Sequence, residues 1–265
     1  MKKLSILAIG FVAIALAACG GKKVEPANTA EAEKSFEQEQ IEASIKVHID
    51  SIAAELGQLK QLPFIQDGST LQLTKEEKQV KPEYLLNPAV ADEATTLAEK
   101  YRILSALNVD KKLATLYEMP TDEYDKAIAK LSADINDPSF KVIENSDDIF
   151  QTTTALYDAM NENGRINYFW QIASAALVEQ LYTINQNADK FLSVFDDKTA
   201  NNVTYRIVLI LDAVKRLSEY DPEIKPVAEA LSSLEVLNAT TVDEMKTQMA
   251  EAKDKIEAAR KALVK

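Results

Sequence analysis

Residues 241–263 read TVDEMKTQMAEAKDKIEAARKAL. Val242, Met245, Met249, Ala252, Ile256, Ala259 and Leu263 keep strict 3-4 spacing, and nearly every position between them is polar or charged. Residues three and four apart share one helix face, so the stretch predicts a wet helix with one narrow apolar seam. Thr241 and Glu244 form a capping box that starts it. Such a seam packs at the edge of a bundle or in a coiled-coil pair, and the small Ala252 and Ala259 predict close approach to a neighbour. Packing against the chain's own bundle is the simpler outcome, since few bundle helices need a partner chain.

The rest of the 265-residue chain carries the same signature. It is 46% hydrophobic and 27% charged, which makes it globular, and its six Gly and eight Pro lean it to an all-helical build. A first helix is expected over 32–61, where Ile45, Ile49, Ile52, Leu56 and Leu59 form a stripe that Pro63 ends. Residues 62–87 are the longest irregular segment, with turn signals at Asp67-Gly68 and Pro82 and a short extended piece at 71–73. Asn87-Pro88 starts a helix to about 117, and Pro120-Thr121 one to about 136, broken by Asp137-Pro138. Ser146-Asp147-Asp148 caps a short helix ending near Asn163-Gly164. Long helices follow over 166–195 and 198–220. Asp221-Pro222 begins the penultimate helix, with Pro226 disturbing its first turn. The expected fold is all-α, an antiparallel bundle of seven or eight helices spanning 32–265.

Tyr101-Arg102-Ile103-Leu104 matches Tyr205-Arg206-Ile207-Val208, and the match continues to Leu113 and Leu217. Either amphipathic helices coincide here or the chain is two duplicated halves, 32–144 and 145–265, packed side by side. In the second case their junction is the natural cleft.

Lys2 and Lys3 precede an uncharged, mainly apolar run over 4–18. That run is shorter than the roughly 20 residues a bilayer span takes, and it has the pattern of a secretory signal peptide. It ends Leu16-Ala17-Ala18-Cys19, which resembles the lipobox of bacterial lipoproteins. The resemblance implies cleavage after residue 18, lipid on Cys19, the only cysteine, and a membrane as partner through that lipid. Residues 19–31 then form a lipidated tether. Gly20 stands where an Asp resembles an inner-membrane retention signal, so the expected site is the outer membrane, on its periplasmic or surface face.

The remaining counts remove chemistries. One Cys and one His exclude zinc fingers, iron–sulfur clusters and disulfide frameworks. A net charge of −12 argues against nucleic acid as a partner. His48 lies in a helical pattern, no Gly-x-Ser-x-Gly elbow exists, and Ile45 stands where a Glu-x-x-His motif needs Glu. Gly57, Gly68 and Gly164 build no phosphate loop. No cofactor is expected. Asp196-Asp197 and Asp147-Asp148 read as acids at helix starts. Of Tyr168-Phe169-Trp170, one or two should be core, and one is expected to face a cleft or a partner. Duplicated bundles of this kind are similar to those of imelysin-like proteins, but the Gly-x-His-x-x-Glu motif of that family is absent.

The expected role is non-enzymatic binding or scaffolding in the cell envelope, with a protein partner. A small-ligand-binding lipoprotein with a pocket between the halves is the second reading, and an enzyme without a recognisable motif the third. Phe64 and Tyr84 of the 62–87 segment, and Trp170 near the junction, are the candidate binding residues. Cys19→Ala is expected to abolish incorporation of labelled palmitate and to release the protein from the membrane fraction; a labelled, membrane-bound variant would contradict the lipobox reading.

Overall fold

The computed structural model describes residues 36–65, 71–142 and 153–264. The signal segment, Cys19, the tether, the turn read at Asp67-Gly68 and the cap read at residues 146–148 lie outside them. The described residues are helical with no strand: α1 (Phe36–Gln58), α2 (Lys75–Gln79), α3 (Leu97–Leu116), α4 (Asp122–Ile135), α5 (Thr153–Glu162), α6 (Ile166–Gln186), α7 (Ala188–Leu192), α8 (Asp197–Leu217), α9 (Lys225–Ser232), α10 (Val242–Glu251) and α11 (Lys253–Leu263). Short 3-10 turns stand at Pro88–Asp92, Pro138–Val142 and Ser233–Val236. None of these helices is long and apolar enough to cross a membrane.

The helix count exceeds the expected seven or eight because several long helices are subdivided. Asn87 does cap through its side chain to the Ala89 N–H, but Pro88 starts only a 3-10 turn. The helix proper begins nine residues later, where Thr96 and Glu99 form a reciprocal capping box. The expected 166–195 helix breaks at Asn187, whose side chain leaves the ladder to accept from the Lys190 N–H. Thr74 and Glu77 cap a single helical turn inside the segment read as irregular. The terminal helix bends at Ala252, which departs from helical geometry while still donating to the Gln248 carbonyl. Gly164, at φ +66°, makes the left-handed turn between α5 and α6 that a side chain would resist.

α6 is the hub, packed against α3, α5, α7, α8, α9, α10 and α11. Fourteen of its 21 residues are buried, and they cover every side of the helix. The seam of the terminal helices turns inward as expected: Met245, Met249, Ala252, Ile256, Ala259 and Leu263 are all buried, α10 and α11 both pack on α6, and α11 also packs on α9. α1 is held between α5 and α8. Tyr157 Oη donates to Asp50 Oδ1 at 2.6 Å, and His48 Nε2 meets Asp212 Oδ2 at 2.9 Å. One continuous apolar core runs through residues of both proposed halves.

The hub assignment gives a quantitative expectation. Leu181→Ala in α6, where the side chain is fully buried, should cost about 2–5 kcal/mol by urea unfolding. Val208→Ala on the exposed face of α8 should stay within about 0.5 kcal/mol. Equal costs would remove the hub role.

Candidate functional site

Helices α1, α5, α6 and α8 leave a cleft between them that opens to solvent. Leu56 of α1, Leu156 of α5, Phe169, Ile172 and Leu177 of α6, and Ile210 of α8 give it apolar walls. The gap arises where α6 presents Ala173 and Ala176, whose short side chains do not reach across. It has α1 on one side and α5, α6 and α8 on the other.

Four polar residues share this lining: Gln61, Thr153, Gln180 and Arg206. Arg206 is 9% exposed and donates from Nη2 to the Lys60 carbonyl at 2.8 Å, just beyond the C-terminus of α1. Its Nε has no hydrogen-bond partner, and no carboxylate among the described residues pairs with it. Burial pushes the guanidinium down to about 10, which leaves it a cation at neutral pH. Gln180 is buried, and its Oε1 also accepts nothing.

A second buried polar group lies outside the cleft. Glu179 of α6 is fully buried and takes a forked pair from Arg260 of α11, Nε to Oε2 at 2.8 Å and Nη2 to Oε1 at 2.7 Å. The same guanidinium lies 4.0 Å over the Tyr182 ring and donates to the Tyr84 carbonyl at 3.2 Å. Asp110 of α3, fully buried as well, accepts from the Leu86 N–H at 2.6 Å, and the Leu86 carbonyl accepts from Tyr124 Oη. Burial raises the Asp110 carboxyl far above the usual range and the neighbouring Glu179 charge raises it further. Burial raises Glu179 too, while Arg260 pulls it back. Burial thus favours the neutral form of Asp110, while Arg260 favours the charged form of Glu179. Acids with perturbed proton affinity suit acid–base chemistry only where substrate reaches them. These two line neither the large cleft nor a smaller one near Arg102 and Leu263. They clamp α3, α6, α11 and the 84–86 segment together.

The candidate binding residues are corrected by their surroundings. Phe64 is buried against Phe191, with ring centroids 4.9 Å apart, and it stacks on Phe195. Trp170 is fully buried in the core. Tyr84 is half-buried, edge-on to Tyr182. These three do not form one surface, and none lines the cleft; the wall residue is Phe169, packed edge-to-face on Trp170 at 5.1 Å. Of the aromatic triplet, Phe169 and Trp170 are core and Tyr168 stacks at the edge on Tyr101. Asp196 caps α8 through Thr199, as read. His48 is an exposed side chain in an ion-pair cluster with Asp212 and Arg216. Arg206 was not among the candidate residues; the signal that marks it is its helical spacing within the buried stripe of α8 that Val203, Ile207 and Ile210 set.

The upward shift at Asp110 predicts a pH dependence. The folded state holds this proton to higher pH than the unfolded chain does. Stability from this group is therefore complete below about pH 4 and is lost as pH rises towards the folded value. Asp110→Asn keeps an acceptor for the Leu86 N–H and stays neutral. It should equal the parent near about pH 4 and exceed it increasingly towards about pH 7 in urea unfolding. Parallel profiles would show that Asp110 titrates normally.

No protein-family model, curated protein or solved structure matches this chain.

Proposed function

We propose that this chain is an envelope lipoprotein, lipid-anchored at Cys19, that binds a small apolar molecule in the cleft between α1 and the α5–α6–α8 face. It acts by binding, without catalysis. The observation that carries the reading is the cleft itself: apolar walls drawn from four helices, with a few polar groups among them. This favours the small-ligand reading over a protein-partner role, because Phe64, on which the partner surface relied, packs into the core.

A neutral apolar dye, N-phenyl-1-naphthylamine, tests the site without engaging charge. Its fluorescence should rise saturably with one dye per chain. Ala173→Phe, at the partly exposed lining position of α6, should abolish the rise with little change in thermal midpoint. A non-saturable response, or one that survives Ala173→Phe, would overturn the reading.

A further inference from the structure

We infer that the cleft takes an amphiphile with a singly charged carboxylate, whose oxyanion pairs with Arg206 and whose apolar tail lies along the α1, α5 and α6 walls. This inference rests on the reading of the cleft as a ligand site and adds the chemistry of what fills it.

The argument starts from the cost of a buried cation. A guanidinium taken out of water without a counter-charge loses its hydration and gains nothing equivalent unless it is paired and hydrogen-bonded. Arg206 has one hydrogen bond, to the Lys60 carbonyl, and a free Nε–H. The C-terminus of α1 beside it supplies part of a negative charge, about half of one. That tolerates the cation but does not neutralise it.

The chain solves the same problem differently elsewhere. Arg102, which matches Arg206 in the internal repeat, donates from Nε to the Leu263 carbonyl and from Nη1 to Gln171 Oε1, both at 2.8 Å. Glu99 and Glu223 lie close enough to favour its charge. Arg206 has no such acids, and its neighbouring amide, Gln180, is left without a bond on Oε1. An amide turned over presents its NH₂ instead. One guanidinium and one amide therefore wait at the polar end of an apolar cleft.

The charge state of the ligand follows. One desolvated cation balances one negative charge, whereas a dianion would bring an unpaired charge into the same apolar space. A planar carboxylate also suits the guanidinium fork. Apart from Gln61 and Thr153, the rest of the lining is apolar and takes a hydrocarbon portion.

Calorimetric titration of the full chain with octanoate, 1-octanol, octyl phosphate and octyltrimethylammonium tests this. Octanoate should bind one to one, at least about tenfold tighter than 1-octanol, since hydrogen bonds to charged partners carry that much discrimination. Octyl phosphate should bind more weakly than octanoate, and octyltrimethylammonium not at all. Ala173→Phe should abolish octanoate binding. Arg206→Met should cut octanoate affinity at least about tenfold while leaving 1-octanol unchanged, with no fall in thermal midpoint, since removing an unpaired buried charge does not weaken a fold. The ligand series on the unaltered chain stands even if a variant fails to fold. Equal binding of octanoate and 1-octanol would overturn the charge assignment and keep the cleft as an apolar site. Tighter binding of octyl phosphate would overturn the carboxylate. No binding of octanoate, 1-octanol or the dye would overturn both this inference and the function it rests on.

Discussion

Burying α6 on every side obliges the rest of the chain to supply its partners. An amphipathic helix needs one covering layer, but α6 needs a shell, and seven other helices provide it. The shell also has to answer the polar groups that α6 carries inward. Glu179 is answered by Arg260, which ties the terminal helix to the hub, and Asp110 extends the tie to α3 and to the backbone at Leu86. A half-satisfied version of this group would be worse than an apolar core, so the register of four segments is set together.

Among the described residues the shell has a gap. Alanine at 173 and 176 leaves α6 short of α1 and α5, and the space is not refilled by larger side chains opposite. A close-packed interior removes such voids where nothing else is served. The adjoining Arg206 breaks a second packing rule at the same place: it is a charge inside an apolar stripe, without an acid. Two departures from good packing that coincide in space are the physical basis for treating this cleft as a site.

Much of the fold was legible in local pattern, and the exceptions have physical causes. The 3-4 spacing of Met245 to Leu263 identified the buried seam residue by residue, because spacing reports the face directly. It did not report the bend at Ala252. No Gly or Pro marks that position, and the bend comes with α10 and α11 covering different neighbours. The Thr74/Glu77 and Thr96/Glu99 capping boxes stood in the sequence, yet the Pro88 start signal and the irregular composition around Thr74 outweighed them. Phe64, beside a helix-stopping proline, read as exposed because loops run over surfaces; in the fold it plugs the space beside Phe191 and Phe195. Arg206 was absorbed into the repeat as a match to Arg102. Only the packing of α8 on α1 and α6 shows that the two arginines are met by different surroundings.

The central claim is that the cleft holds an anionic amphiphile in the working protein. Native mass spectrometry of the protein purified without denaturation from the cells that make it tests this most directly. The account predicts a population carrying one non-covalent small molecule, released on collisional activation as a negative ion and absent from Arg206→Met. An unliganded mass alone, or the same adduct retained by Arg206→Met, would contradict it.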